Sequence, residues 1–391
     1  MKKFLIFISI LLCVCVVAVT FLGISLLRQG PQVDIFDQYE SKLREVVGLL
    51  DQVYVDGYDT EGLGDILSQA AVAQTGDRWS YYMSAADYAD YIQNAANEYV
   101  GVGITVQNND GEVPGLYILS VNPKGSAYEA GLQAGDIITA VDGKNAADYD
   151  LNEISDLIKG EEGTTVQIDV LRDGNTLSFT MTRKVIEVEV VIFDNIDGIG
   201  YIKIDNFQTH CAERTIEAVE TLRKEGVTGL VFDVRFNPGG RKDELCKVLD
   251  HLLPEGPLFR SVNYKGEESI DSSSGDSFVK LPMAVLVNGD SYSAAEFFAA
   301  ALQEYEWATV VGTQTVGKGN YQQAFRLSDG SAVSVSTGHY STPKGVNLEG
   351  VGITPDMVVE VDQATYTAIY SATLSYEEDP QLQAALDSLK K

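Results

Sequence analysis

The sequence predicts an α+β protein of several domains, with a helical N-terminal part, a β-rich middle module and an α/β core. Three patterns predict it. Phe36, Tyr39, Leu43, Val47 and Leu50 recur at helical spacing. Between residues 98 and 184, short Val- and Ile-rich runs alternate with glycine-containing turns. From residue 185 onward, fully apolar strand-like runs alternate with amphipathic helical ones, the mark of a sheet covered by helices. The chain has 391 residues, which suits two or three domains at roughly 100–200 residues each.

Residues 1–30 form the first segment. Lys2 and Lys3 precede an uncharged, mostly apolar stretch at 4–27, closed by Arg28. About 20 such residues span a bilayer core, whereas a cleaved signal peptide has an apolar core of roughly 7–15 and a small-residue cleavage site. The stretch therefore predicts an uncleaved signal anchor, a single transmembrane helix of the cell membrane. Its lysines would stay in the cytoplasm and everything after Arg28 would lie outside. Residues 29–33, with Gly30 and Pro31, read as a short linker, and the region 31–97 is otherwise largely helical, one helix capped by Ser84 with Asp87 three residues on. This region is expected to pack on the rest and to carry no chemistry.

The middle module, 98–184, reads as strands at 103–106, 116–121, 136–141, 165–172 and 176–183 with a short helix at 151–158. Asn109-Asp110-Gly111, Asp142-Gly143 and Asp173-Gly174 mark the turns. The core, 185–361, reads as strands at 200–204, 229–234, 283–287 and 309–312, with helices at 213–224, 243–253 and 294–304 between them. Residues 264–278 read as a loop or exposed hairpin, and 362–391 as a helical tail.

The net charge of −29 argues against binding nucleic acid or anionic lipid headgroups. Of the four cysteines, two lie in the N-terminal apolar run, and no C-x-x-C or H-E-x-x-H motif occurs, so neither a zinc nor a redox centre is expected. Cys211 and Cys246 read as small buried hydrophobes, with a disulfide between them as the lesser alternative. No cofactor or metal is implied.

Three segments carry chemistry. Ser293, in Gly289-Asp290-Ser291-Tyr292-Ser293-Ala294-Ala295-Glu296, stands between an apolar strand and an Ala-rich helix. There, unpaired N–H groups and the positive end of the helix dipole favour a developing anion. Read alone, it is equally a helix N-cap. Lys318 lies between Gly317 and Gly319. Burial would lower its pKa and make it a general base, although alone it reads as a surface turn lysine. Asn237-Pro238-Gly239-Gly240 follows another apolar strand and makes a tight turn whose N–H groups suit an oxyanion.

Taken together, these segments resemble the carboxy-terminal processing proteases, the S41 peptidases. That family carries R-N-N-P-G-G, S-A-S-A-S-E and F-G-K-G-x-x-Q where this chain has Arg235-Phe236-Asn237-Pro238-Gly239-Gly240, Ser291-Tyr292-Ser293-Ala294-Ala295-Glu296 and Val316-Gly317-Lys318-Gly319-Asn320-Tyr321-Gln322. Asp77-Arg78-Trp79-Ser80-Tyr81-Tyr82 is similar to the family's D-P-Y-S-x-Y, and 349–356 to its G-x-G-I-x-P-D. The departures Phe236, Tyr292, Ala295 and Val316 remove no catalytic atom.

The resemblance implies a crotonase/ClpP-like protease core. In it Ser293 is the nucleophile, Lys318 the base and Gln322 its orienting partner, while the oxyanion is held by N–H groups of Ala294 and of Gly239 or Gly240. The middle module resembles a PDZ domain, with Val100, Gly101, Val102, Gly103 and Ile104 similar to the loop and strand that take a peptide's C-terminal carboxylate by strand addition. Protein or peptide substrates recognised near their C-terminus are implied, with room for a regulatory protein partner, PDZ gating and a homo-oligomer.

Two other readings compete. One is an inactive PDZ scaffold. The other is an α/β-hydrolase-like enzyme using Ser291 in a partial nucleophile elbow with His339. The run from Gly312 to Gly319 approaches a P-loop but lacks the closing Ser or Thr.

Overall fold

The structure, a computed structural model, describes residues 35–57, 62–109, 111 and 113–390. The expected transmembrane segment lies outside these residues; among the described residues no helix is long and apolar enough to cross a membrane. The chain forms two compact units, 1–67 and 68–391. The described part of the first contains helix α1 (Ile35–Val53), the amphipathic segment expected from the spacing of Phe36 to Leu50. Helix α2 (Leu63–Ala73) leads into the second unit.

In the second unit, strand β1 (Tyr81–Met83) precedes helix α3 (Ala85–Ala96). Ser84 and Asp87 make the expected reciprocal capping box, and Asn97 ends the helix in the left-handed region at φ 54°. Strand β2 (Glu98–Gly101) then enters the middle module. There β3 (Ile104–Asn108), β4 (Leu116–Val121), β5 (Ile137–Val141), β6 (Lys144–Asn145), β7 (Thr165–Arg172) and β8 (Asn175–Thr182) form an antiparallel sheet ordered β3-β4-β5-β7-β8, with β6 on β5. The short helix α4 (Ser126–Ala130) and helix α5 (Leu151–Ile158) belong to the same module. Asp142-Gly143 and Asp173-Gly174, each between paired strands, have positive φ at both residues, as two-residue hairpin turns require. Val102, Ile118, Ile138, Ile154 and Ile168 form the module's core. Strand β9 (Lys184–Glu187) returns to pair with β2.

The core sheet begins with the hairpin β10 (Val191–Ile196) and β11 (Ile199–Ile204). It continues in parallel through β12 (Leu230–Asp233), β15 (Met283–Val287), β16 (Ala308–Gly312) and β19 (Met357–Val358). Successive residues alternate faces. Leu230, Phe232, Val285 and Val287 meet helices α6 (Cys211–Glu225), α7 (Lys242–Leu252) and α8 (Ala294–Glu304), while Val231, Ala284 and Leu286 meet helix α10 (Pro380–Ser388). The C-terminal tail therefore completes the core. A buried ion cluster ties it down: Arg235 pairs with Asp233 at 2.6 Å and Asp379 at 2.8 Å and donates to Gln381.

A second sheet, ordered β1-β18-β13-β14 with β17 on β18, contains β13 (Gly256–Asn263), β14 (Glu268–Ser273), β17 (Asn320–Arg326) and β18 (Ala332–Ser341). The segment 264–278 is thus partly the outer strand of a hairpin. Helix α9 (Gln363–Tyr370) lies before α10. Cys211 and Cys246 are both free thiols, and burial pushes each up to about 12.

Candidate active site

The loops after β12, β15 and β16 all leave the carboxyl edge of the parallel sheet, where open α/β sheets place ligand sites. Ser293 ends the loop after β15 with φ 57° and ψ −124°, a conformation that costs a non-glycine residue about 1–3 kcal/mol. A dense hydrogen-bond set holds it there. The Tyr292 N–H donates to the Asn237 carbonyl at 3.1 Å, and the Ser293 N–H to Glu296 Oε2 at 2.9 Å. Asn288 Oδ1 accepts from Phe236 N–H and Asp290 N–H. Ser291 is fully buried; its hydroxyl donates to the Val234 carbonyl at 2.7 Å and accepts from Asn288 N–H. That hydroxyl ties two loops together, and His339 is paired elsewhere, with Asn320.

The turn 237–240 lies against Ser293. A Cβ on Gly239, whose φ is +87°, would fall 2.7 Å from Ser293 Cβ and 2.8 Å from the Ala294 nitrogen, so only glycine fits. The Gly239 N–H donates to Asn237 Oδ1 at 2.8 Å. Among the described residues the N–H groups of Ala294 and Gly240 have no hydrogen-bond partner.

Glu296 links the Ser293 and Lys318 loops. It is completely buried. Its Oε2 accepts the Ser293 N–H and, at 2.8 Å, the Lys318 N–H. Its Oε1 accepts the Gly317 N–H at 2.7 Å and the Thr315 hydroxyl at 2.5 Å. Burial pushes this carboxyl above its usual range, against the pull of the four donors. In the sequence, Glu296 stands only as the last letter of the Ser291–Glu296 motif. Its spacing three residues after Ser293, at the first turn of a helix, was the available signal.

The glycines around Lys318 answer a packing demand, where the sequence suggested accessibility. A Cβ on Gly317 would meet the Val351 nitrogen at 2.8 Å, and one on Gly319 the Glu349 nitrogen at 2.5 Å. Glu349 Oε2 also accepts the Gly319 N–H. The lysine amine lies 4.7 Å from the Trp79 ring centre and 5.7 Å from that of Tyr292. Burial lowers its pKa, opposed by Glu349, Asp77 and Glu296 and assisted by Arg78. Among the described residues it makes no hydrogen bond to Ser293 and no ion pair. Gln322 Nε2 donates to Ser336 Oγ at 2.9 Å and to the Asn320 carbonyl, not to the lysine.

The segment expected only to pack thus supplies part of the site. Ser80 Oγ donates to Asp77 and accepts the Ser336 N–H, and Trp79 Nε1 donates to Glu349 Oε1 at 3.1 Å.

Gly101, Val102, Gly103 and Ile104 line a groove of about 610 Å³. Gly103, at φ +85°, packs against Gly125, where a Cβ would meet the Val102 carbonyl at 2.5 Å. Ile158 and Lys159 lie on one side of the groove, and Asn206, Gln208 and Pro238 of the core on another. Asn97 and Asn206 exchange amide hydrogen bonds at 3.1 and 3.0 Å. Phe207 then bridges to the turn, its N–H donating to the Gly239 carbonyl at 2.8 Å and its carbonyl accepting from Arg241 N–H.

Residues 198–359 match Peptidase family S41, and residues 117–172 match the PDZ domain. A carboxyl-terminal-processing protease of Synechocystis sp. is 33% identical over 309 residues, 77% of this chain and 71% of that protein. The carboxy-terminal processing protease CtpA of Bacillus subtilis is 30% identical over 346 residues, 86% of this chain and 73% of that protein. Among solved structures, a candidate S41 protease from Bacteroides fragilis shares the fold, with a TM-score of 0.54, 19% identity, and coverage of 85% of this chain and 90% of that one. The chain belongs to peptidase family S41. It is a serine-type peptidase that carries a PDZ domain.

Proposed function

We propose that the protein is a membrane-anchored carboxyl-terminal-processing endopeptidase that works through a Ser293–Lys318 dyad. One observation carries the dyad: a single buried carboxylate, Glu296, accepts the backbone N–H of both residues, so the two loops meet within the span of one side chain. Ser293 Oγ attacks the scissile carbonyl while the neutral Lys318 amine takes its proton, later delivering it to the leaving amine. The N–H groups of Ala294 and Gly240 are free to hold the oxyanion; Gly239 would first have to release Asn237. Water then resolves the acyl-enzyme. Closing the dyad requires the amine to come within hydrogen-bond reach of Ser293 Oγ; Gln322 Oε1 can accept from that amine while Nε2 keeps Ser336.

Reaction with a fluorophosphonate separates this reading from an inactive scaffold, because only an activated Ser293 is labelled and Ser293→Ala abolishes the label. Lys318→Arg should be inactive, since guanidinium stays protonated. The wild-type rate should rise with pH through a lysine pKa held below its ordinary value by burial. An active Lys318→Arg enzyme overturns the dyad.

Residues 100–104 are proposed to take a peptide C-terminus by strand addition. Binding there would also gate the dyad, because the groove shares Pro238 with the oxyanion turn. A non-cleavable C-terminal peptide should then raise kcat toward a second, small substrate. A variant with 100–182 replaced by a linker, showing unchanged kcat and raised KM, would leave the groove as a docking site alone. The anchor reading rests on the apolar run at 4–27 behind Lys2 and Lys3. Protease shaving of intact cells should remove the domains after Arg28, and protection of those domains contradicts it.

A further inference from the structure

Three of this chain's departures from the family pattern converge on one atom. Trp79 and Arg78 stand where the family segment has Tyr and Pro, and Tyr292 where it has Ala. The Trp79 and Tyr292 rings stack on each other, centres 6.0 Å apart and planes 24° off parallel, and the Lys318 amine lies over both. The Trp79 ring is fixed from two sides. Its Nε1 donates to Glu349, and the Arg78 guanidinium lies 4.2 Å from its centre while reaching the Gly317 carbonyl. Glu349 also holds the Gly319 N–H, so ring and lysine loop share one support.

An aromatic face attracts an ammonium and has no comparable attraction for a neutral amine. The rings therefore favour the form of Lys318 that cannot accept a proton, in a place where it is not bonded to Ser293. We propose that Trp79 and Tyr292 are positioning residues that hold Lys318 as an ammonium in a resting site, from which the free base must be released before Ser293 can be deprotonated. This deepens the dyad reading and rests on it.

The other groups facing the amine are Glu349, Asp77 and Glu296, which favour the ammonium, and Arg78, which opposes it. The Tyr292 phenol is itself held neutral, burial pushing its pKa up. The acids are present in every variant below and no hydrogen bond joins any of them to the Tyr292 ring, so a change on altering Tyr292 reports the ring, whereas Trp79→Phe also frees Glu349 Oε1.

The test is the pH profile of kcat/KM for a peptide substrate, which reports groups of the free enzyme. Tyr292→Ala removes one face, destabilises the ammonium and lowers the lysine pKa. The acid limb should move down by about half to one pH unit, with kcat/KM near neutrality rising about three- to tenfold. Tyr292→Phe, which keeps the face, should return the limb to its wild-type position. Trp79→Phe, a weaker face, should move it down by less. A limb unmoved in Tyr292→Ala, with only KM altered, makes Tyr292 a wall of the substrate pocket and overturns the proposal. So does a uniform loss of rate in both Tyr292→Ala and Trp79→Phe at an unchanged limb. Lys318→Arg separates this failure from failure of the dyad. If Lys318→Arg is inactive and the limbs do not move, the resting site alone is wrong. If it is active, the dyad is wrong as well.

Discussion

Ser293 and Lys318 leave neighbouring parallel strands, β15 and β16, and their backbones share one carboxylate, yet the two side chains are held differently. Ser293 is 7% exposed, and its strained backbone is set by bonds from Asn237, Asn288, Ser291 and Glu296. The Lys318 amine has ring faces and diffuse charge around it and no directional bond among the described residues. On the proposed dyad, a rigid nucleophile beside a loosely held base places the control of activity on the base. Shifting the lysine amine breaks no hydrogen bond of its own among the described residues, whereas moving Ser293 would break several buried ones.

The sharpest break in this comparison is Ser293→Ala, which should reduce peptide cleavage by roughly 10⁴-fold or more, the scale of losing a nucleophile. The protein should keep its thermal unfolding midpoint. Next is Glu296→Gln. An amide retains one accepting oxygen, so either the Ser293 and Lys318 N–H groups or the Gly317 N–H loses its acceptor. Loosening both loops should lower kcat by about 10²-fold, the usual penalty for a misplacement of about 1 Å. Stopped-flow or steady-state kinetics on the folded variant would check it. Full activity in Glu296→Gln would mean that the loops are positioned without it.

Two further changes act on stability and leave the chemistry in place. Arg235→Met strands Asp233 and Asp379 without their cation and should cost about 3–5 kcal/mol in denaturant unfolding. Ser291→Ala removes a buried hydroxyl that serves the Val234 carbonyl and the Asn288 N–H, at about 1–3 kcal/mol. It should leave cleavage largely intact at temperatures where the variant is folded. Loss of fluorophosphonate labelling in a folded Ser291→Ala protein would reopen its candidacy as the nucleophile.

Parts of this arrangement were legible from sequence because their causes are local. Apolar runs of four or five residues announced β12, β15 and β16, and the Gly-rich loops after them carried Ser293, Lys318 and the 237–240 turn in short contiguous motifs. The second sheet was not legible beyond a hint of its hairpin. β17 and β18 mix polar and apolar residues, and their pairing is set by a β-bulge and by contacts with β13 and β1 far away in sequence. Glu296 and Trp79 were visible as motif letters, but their roles join residues tens to hundreds of positions apart. Helix α10 read as a tail because Gln381, Gln383 and Ser388 dilute its apolar stripe. Only the fold shows Leu382, Ala385 and Leu386 closing one face of the sheet.

The amide pair Asn97–Asn206 has a consequence for any coupling between the groove and the core of the second unit. It joins the strand leading into the PDZ groove to the segment that bridges to the turn 237–240, and it does so without any ionisable atom. Neutral amides do not titrate and are hardly screened by salt. If the proposed gating runs through them, it would keep its strength across changes of pH and ionic strength, while the lysine amine would remain responsive to both.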